Sequence, residues 1–290
     1  MAHRMDGKPQ TPERLFTPAL LRTAWRAVKR AKGGPGVDEV TLAKFEAGLD
    51  KELGALQLEL ISGVYRPQPV RQVLVPKANG GLRALAIWAL RDRVAQRAVY
   101  ELIAPRFEQR FLACSFGFRP GRQVADAVAA LTAHRDQNLR WVVDADIKDC
   151  FDSIDAARLL PLVAQQLPER VLCHYIAGWL YAEIFNSADG LPKKAGASQG
   201  GVLSPLLANI YLHEVDQILA QRQLAYLRYA DDFVICCRTK ADAAQAFEWS
   251  RAALAQWGLQ INDEKSHIRH FDQGFSWLGY FLVRRECYQL

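Results

Sequence analysis

Two adjacent carboxylates interrupt an apolar stretch in the second half of the chain. In LRYADDFVICC (227–237), Asp231 and Asp232 lie between apolar runs. Like charges this close repel each other, and burying either one is costly unless a positive group compensates. A hairpin lying on the surface would need a polar face, which the flanking residues do not offer. The segment therefore predicts two largely buried strands within 224–238, joined by a tight turn at the acidic pair, with a cation beside it.

The composition is that of a folded, intracellular chain. Of 290 residues, 50% are hydrophobic and 23% are charged, so a packed core is expected and extended disorder is not. No apolar run approaches the length of a membrane span, and the polar start MAHRMDGKPQ has no secretory apolar core. The six cysteines form no CxxC pair, which argues against a zinc site and favours a reducing, cytoplasmic location.

The net charge of +6 is unevenly distributed. Residues 1–100 hold 17 Lys and Arg against 9 Asp and Glu, so the remaining 190 residues sum to a slightly negative charge. A basic first third predicts a surface for a polyanion, and nucleic acid is the commonest one. A solvated basic face without any ligand is the alternative.

The order of elements predicts an α+β fold with a largely antiparallel sheet. A hairpin is expected at 70–88 around ANGG, and single strands at 139–147, 267–271 and 276–284. Apolar spacing predicts helices at 17–32, 41–62, 91–103, 124–135, 155–166, 169–182, 200–219 and 240–257.

A second acidic segment supplies further carboxylates. WVVDADIKDCFDSI (141–154) contains Asp144, Asp146, Asp149 and Asp152, and the first two share one face of a strand. If this strand pairs beside the acidic hairpin, three carboxylates converge from distant parts of the chain. Such hard oxygen ligands suit Mg²⁺, and two such ions are typical of nucleotidyl transfer. A surface hairpin with an Asp-Asp turn is the structural alternative.

The motifs around these acids resemble those of bacterial group II intron-like reverse transcriptases. YADD (229–232) is similar to the family's YxDD signature, and DIKDCFD (146–152) to its first catalytic motif. GASQGGVLSPLLANIYL (196–212) resembles the following helix motif, with Ser198 in place of the usual proline. Four further resemblances, in family order, are AKGGPGVDEVT (31–41), VPKANGGLRALAI (75–87), SFGFRPGR (115–122) and GLQINDEKSHI (258–268), and FSWLGY (275–280) resembles the primer grip.

The resemblance implies roles for individual residues. Asp146, Asp231, Asp232 and the Ile147 carbonyl would hold two Mg²⁺ ions, for which Mn²⁺ substitutes. The implied nucleotide contacts are Lys77 and Arg83 on the triphosphate, Phe151 as the steric gate beneath the sugar, and Gln199 at the start of its helix. Lys265 would protonate the leaving pyrophosphate. The implied template and primer contacts are Arg119, Arg122, Leu278 and Gly279.

The resemblance also implies a right-hand polymerase, with fingers (1–125) and a palm (126–290) whose antiparallel sheet is backed by helices. The palm ends at the primer grip, and no thumb is expected within the chain. We therefore expect a protein partner or a separate thumb domain, which would dock on an uncovered strand within WLGYFLVRR (277–285), at Phe281, Leu282 and Val283.

The implied function is RNA-directed DNA synthesis from an RNA template, a DNA primer and dNTPs. The biological role stays open between a free-standing group II-like enzyme, a CRISPR-associated enzyme that works beside the CRISPR integrase in acquiring spacers from RNA, and phage defence. The alternative of another class is a non-catalytic nucleic-acid-binding subunit with a polymerase-like fold. The presence of all three acids, Lys77 and Arg83 argues against such decay.

Overall fold

The computed structural model describes residues 9–76, 80–185 and 194–290. Two compact units are each built from separate chain segments: unit 1 comprises the chain up to Gln109 and Asp155–Leu207, and unit 2 comprises Arg110–Ile154 and Ala208–Leu290. The helices and strands in the first half of the chain are α1 (Pro12–Leu15), α2 (Pro18–Arg30), α3 (Leu42–Ala47), α4 (Leu49–Ser62), β1 (Val70–Pro76), β2 (Leu82–Ile87), α5 (Leu90–Glu108), α6 (Val124–Asp136) and β3 (Trp141–Asp146).

The second half continues in the same mixed order. Its elements are α7 (Cys150–Ser153), α8 (Ala156–Ala164), α9 (Arg170–Leu180), β4 (Ile184–Phe185), α10 (Ser204–Ala220), β5 (Ala225–Tyr229), β6 (Asp232–Cys237), α11 (Lys240–Gln256), β7 (His267–His270), β8 (Phe275–Trp277), β9 (Tyr280–Val283) and β10 (Glu286–Gln289).

Unit 1 is mainly helical and carries one small sheet. Helix α2 begins as its sequence predicts: the Thr17 hydroxyl accepts a hydrogen bond from the Leu20 N–H, and Pro18 occupies the first turn. The α2 side chain Trp25 stacks on Phe45 of α3 with ring centroids 4.8 Å apart. The predicted hairpin is confirmed, since β1 and β2 pair antiparallel and β4 joins β1 in parallel.

Unit 2 contains a four-stranded sheet in the order β5-β6-β3-β7, and its three pairings are antiparallel. A core of buried apolar residues joins this sheet to α6 and to the sheet β10-β9-β8, and includes Val128, Val142, Val234, Phe271 and Leu282. The predicted α+β class with mostly antiparallel pairing is confirmed. The core provides a firm base for the ends of β3, β5 and β6.

Two of the predicted elements differ from the structure. The helix predicted at 41–62 is divided at Gly48, which ends α3 and begins α4. Glycine weakens a helix interior because its backbone loses more freedom on ordering than that of other residues. The strand predicted at 276–284 is instead a hairpin of β8 and β9. It turns at Leu278 and Gly279, both with positive φ, as two-residue hairpin turns require.

The predicted docking strand is also wrong. Strand β9 is not uncovered, because it lies between β8 and β10 and pairs with both. Its Leu282 side chain is fully buried in the core of unit 2. The sequence did not predict β10, and without this strand one edge of β9 would be unpaired. Among residues 9–76, 80–185 and 194–290, no helix is long and apolar enough to cross a membrane.

Candidate active site

The acidic pair lies at the tip of the hairpin formed by β5 and β6. Tyr229 and Asp232 form the last pair of the ladder, and only Ala230 and Asp231 connect the strands. Ala230 adopts a left-handed conformation with φ of 58°, which suits a two-residue hairpin turn but is unusual for alanine. The predicted strand–turn–strand is confirmed, and the turn presents two consecutive carboxylates.

Strand β3 pairs with β6 and supplies the third carboxylate. The antiparallel register sets Asp146 directly opposite Asp232. Just beyond this pair, the Ile147 N–H donates a hydrogen bond to the Asp231 carbonyl at 3.2 Å. The pairing expected from the sequence is therefore confirmed, and Asp146, Asp231 and Asp232 share one end of the four-stranded sheet.

The electrostatics of these carboxylates show an excess of negative charge. Burial, together with the charges of Asp231, Asp146 and Asp144, raises the pKa of Asp232 to about 7. The pKa of Asp144 is raised to about 6, mainly by burial. Carboxylates that resist ionisation together favour a bound cation, because a cation offsets their repulsion.

The segment after α11 surrounds Asp146 with polar groups. The Lys265 ammonium lies 3.1 Å from the Asp146 carboxylate, and this hydrogen bond raises the pKa of Lys265. The Asn262 backbone N–H donates to the Asp146 carbonyl at 2.8 Å, and the Ser266 hydroxyl accepts from the Asp146 N–H at 3.1 Å. Lys265 is 58% exposed, so its ammonium remains accessible to a ligand.

The donor set fits a divalent cation. Asp146, Asp231 and Asp232, with the Ile147 carbonyl, are hard oxygen donors of the kind that Mg²⁺ prefers. Within the described part of the chain, no three His, Cys, Asp or Glu side chains form a ready-made metal-ligand group. The register of the strands and the shared negative charge are the features that favour a bound metal.

The remaining acids of the 141–154 segment lie outside this convergence of strand ends. Asp149 precedes the short helix α7 in a left-handed conformation, and Asp152 belongs to the first turn of α7. Both residues are exposed. Phe151, the predicted steric gate, is only 9% exposed, a burial that also suits a core aromatic.

Two of the predicted nucleotide contacts, Arg83 and Gln199, belong to unit 1. Arg83 is an exposed residue of β2 in unit 1, and Lys77 lies outside the described residues. Gln199 precedes α10 by several residues, and its carbonyl accepts a hydrogen bond from the Ala86 N–H at 2.8 Å. Gln199 is therefore tied to the same strand that carries Arg83, although it does not begin the helix as expected.

The predicted template and primer contacts have clear local roles. Arg119 is buried and donates to the carbonyls of Leu112 and Ser115, both at 2.7 Å. Arg122 donates to the Ala113 carbonyl at 2.7 Å. Leu278 and Gly279, as described above, form the turn between β8 and β9. Whether these four residues also contact nucleic acid stays a prediction.

Sequence reasoning missed a buried polar cluster next to the acidic turn. Arg228 and Asp216 are fully buried and form an ion pair with an Nη2–Oδ2 distance of 2.6 Å. Ser115, Asn209 and Tyr226 complete the cluster through hydrogen bonds. A signal was available, since an arginine within an apolar strand and an aspartate within an apolar helix each require a buried partner.

Comparisons with known proteins identify the family of this chain. The sequence profile of the reverse transcriptase (RNA-dependent DNA polymerase) family matches residues 75–282, which cover most of the chain. The chain belongs to the reverse transcriptase family. Its enzyme class is therefore RNA-directed DNA polymerase.

Proteins of two bacteria are similar to this chain in sequence. Protein YkfC of Escherichia coli is 35% identical over 94% of this chain and 82% of its own length. The group II intron-encoded protein LtrA of Lactococcus lactis is 32% identical over 93% of this chain, which spans only 56% of that relative. These similarities assign the chain to the group II intron-like reverse transcriptases.

Solved structures show the same fold at low sequence identity. The telomerase of Candida albicans, solved with a fragment of telomeric RNA, has a TM-score of 0.59 at 12% identity, over 86% of this chain and 49% of its own. A partial Cas6-RT-Cas1–Cas2 complex has a TM-score of 0.50 at 24% identity, over 85% of this chain and 41% of its own. Both similarities bear on the fold alone.

Proposed function

We propose that this chain extends a DNA primer on an RNA template with dNTPs, with two divalent ions bound at the acidic end of the four-stranded sheet. The observation that carries the proposal is the register of β3 and β6. This register places Asp146 directly across from Asp232, with Asp231 in the adjoining turn. Family membership supports the same reaction.

The residues of the site would have separate roles in ion binding and proton transfer. Asp146, Asp231, Asp232 and the Ile147 carbonyl would hold the ions. When bound, divalent ions activate the primer hydroxyl and stabilise the charge that develops on the phosphates. Lys265, already beside Asp146, would hold a proton for the departing pyrophosphate.

The remaining predicted contacts would hold the nucleotide. Lys77 and Arg83, on either side of the predicted hairpin turn, would bind the triphosphate, and Gln199 would contact the nucleotide from the segment tied to β2. Phe151 would lie beneath the sugar and exclude a 2′-hydroxyl. Positioning and electrostatics then account for catalysis, as in other phosphoryl transfers.

We further propose that unit 1 contributes most of the fingers and unit 2 most of the palm, a division that is discontinuous in sequence. The boundary predicted at residue 125 stays a prediction. Arg119, Arg122, Leu278 and Gly279 would face the template and primer.

The test is primer extension with Mg²⁺ on an RNA template. We expect dNTP incorporation by the wild type and its loss in Asp231→Asn, because one charge of the ion-binding set is removed. Asp272→Asn is the matched control, since it removes an exposed carboxylate of the same unit that pairs with Arg140. Equal extension by Asp231→Asn and wild type would contradict the site assignment.

The alternative of a non-catalytic nucleic-acid-binding subunit predicts a different result in the same assay. Such a protein would bind the primed template and yet extend it at no concentration of Mg²⁺ or Mn²⁺. A gel-shift measurement beside the extension assay separates the two functions. All three aspartates are in place in this chain, which favours the enzyme.

The biological role is a finer proposal. We infer that the polymerase serves spacer acquisition from RNA beside a CRISPR integrase, with a free-standing enzyme or phage defence as the other outcomes. The motivation is the resemblance of WVVDADI and HFDQGFSWLGY to the CRISPR-associated branch. Integrase genes beside the gene for this chain, and co-purification of the two proteins, are the expected results. A neighbourhood without such genes would contradict this role.

A further inference from the structure

Arg228 lies immediately behind the acidic turn, and all five of its guanidinium N–H groups have acceptors. Its Nε and Nη2 donate to the two oxygens of Asp216 at 2.8 and 2.6 Å. Nη2 also donates to the Ser115 hydroxyl at 2.9 Å. Nη1 donates to the Asn209 side-chain carbonyl at 2.9 Å and to the Ala230 carbonyl at 3.0 Å. The guanidinium is therefore held in one orientation, with its Nη1 corner at the turn.

The partners of Arg228 are themselves fixed. The Tyr226 hydroxyl donates to Asp216 at 2.9 Å, so the carboxylate accepts three hydrogen bonds. Asn209, which is 1% exposed, donates from its amide to the Gly117 carbonyl at 2.9 Å. The cluster thus links α10, β5 and the 115–117 loop to the Ala230 carbonyl in the turn.

Gly117 contacts the same turn from the other side. A Cβ placed on Gly117 would lie 2.4 Å from the Ala230 nitrogen and 2.9 Å from the Tyr229 carbonyl carbon. This backbone contact leaves no space for a side chain. Gly117 therefore packs closely against the Tyr229–Ala230 peptide, and Arg228 donates a hydrogen bond to the carbonyl of the next peptide, Ala230–Asp231.

The turn needs such support because of its conformation. Ala230 has a positive φ of 58°, a region that residues other than glycine, asparagine and aspartate seldom occupy. A strained residue stays in place only where its surroundings determine it. The next residue is Asp231, and the orientation of the Ala230–Asp231 peptide determines where its carboxylate points.

We propose that Arg228, oriented by Asp216 and Asn209, is a positioning residue that fixes the Ala230–Asp231 peptide and so directs the hairpin carboxylates. The inference rests on the polymerase function proposed above. It differs from a purely structural role for the ion pair, which would change stability alone. In the positioning role, loss of the Nη1 contacts lowers catalysis and divalent-ion affinity in a protein that remains folded.

The decisive comparison uses two alanine variants on opposite corners of the guanidinium. Asn209→Ala removes an acceptor from Nη1, the corner that reaches Ala230. Ser115→Ala removes an acceptor from Nη2, the corner that faces Asp216. Each deletes one neutral hydrogen bond to Arg228 and leaves the ion pair in place. Arg228→Lys, which keeps the charge but loses the fork, is the third variant. Asn209→Ala also deletes the hydrogen bond from its amide to the Gly117 carbonyl, whereas Arg228→Lys leaves that bond in place, so a loss shared by both variants is due to Nη1.

The readouts are single-nucleotide incorporation, Mn²⁺ binding measured by electron paramagnetic resonance of the free ion, and thermal unfolding. We expect Asn209→Ala and Arg228→Lys to lower kcat by about 100-fold, as a small misplacement of reacting groups can, with the KM for dNTP within about twofold. Mn²⁺ affinity falls in both variants. Ser115→Ala changes kcat and Mn²⁺ affinity by about twofold or less.

Three results would overturn the inference. One is a folded Asn209→Ala with the kcat and Mn²⁺ affinity of wild type, and another is an equal loss of kcat in Asn209→Ala and Ser115→Ala. Both leave the proposed function standing, because the wild type still extends primers. If Arg228→Lys does not fold, Asn209→Ala decides alone. A wild type that extends no primer overturns the proposed function, and the inference falls with it.

Discussion

A buried carboxylate in unit 1 makes a specific prediction about stability and pH. Asp92 of α5 is fully buried, and its two oxygens accept hydrogen bonds from the Tyr65 hydroxyl at 2.6 Å and the Gln68 N–H at 3.0 Å. The Trp179 ring N–H donates to the Tyr65 oxygen at 3.0 Å. Asp92 therefore anchors the backbone that leads into the β1–β2 hairpin.

Burial raises the pKa of Asp92 from its ordinary value of 3.8 to about 6. The hydrogen bonds from Tyr65 and Gln68 and the charge of Arg91 oppose this shift, while Asp38 adds to it. The folded state thus binds the proton more tightly than the unfolded state. Asp92 favours folding at low pH, and this contribution is lost as the pH rises from about 4 to about 6.

The magnitude follows from the linkage of proton binding to folding. The difference between 3.8 and about 6 corresponds to roughly 3 kcal/mol of unfolding free energy, lost across that pH window. In Asp92→Asn the side chain is neutral at every pH, so this slope disappears. The asparagine amide cannot accept from the Gln68 N–H while its oxygen accepts from Tyr65. The variant therefore loses about 1 kcal/mol independently of pH.

The measurement is urea unfolding of wild type and Asp92→Asn, followed by tryptophan fluorescence from pH 4 to pH 7.5. We expect the stability of the variant relative to wild type to rise by about 3 kcal/mol between pH 4 and pH 7. Asp50→Asn is the control, since it removes an exposed carboxylate that pairs with Arg22. Curves for wild type and Asp92→Asn that stay parallel across this range would refute the reasoning.

Three further predictions concern the acidic site. Phe151→Ala should raise ribonucleotide incorporation far more than it lowers dNTP use, as judged from kcat/KM for each; equal losses would mean that the ring is only core packing. Lys265→Met should lower the incorporation rate by about 100-fold or more, because a proton donor is removed. Its Tm should change little, because the Lys265 ammonium is largely exposed. A wild-type rate would exclude a role in proton transfer. Ala230→Gly should relieve the positive φ and raise stability by about 1 kcal/mol or less, with extension retained; a lower Tm would show that this backbone is not strained.

Local patterns were sufficient for most elements and for the identity of the acids. The helices around α2, α6 and α11 begin at capping residues next to apolar positions at helical spacing, which depend on near neighbours in sequence. The hairpin at Asp231 and Asp232 is equally local. The order of motifs then predicted the family, which the comparisons confirmed.

Tertiary structure decided what depends on residues far apart in sequence. Periodicity placed Asp146 on a strand, but only the pairing of β3 with β6 sets it opposite Asp232. Leu282 was expected on an uncovered strand, whereas β10 pairs with β9 and the side chain is buried. Arg228 is buried because Asp216 of α10 neutralises it there. Burial, register and charge compensation are properties of the assembled fold, since each requires partners that no local window of sequence contains.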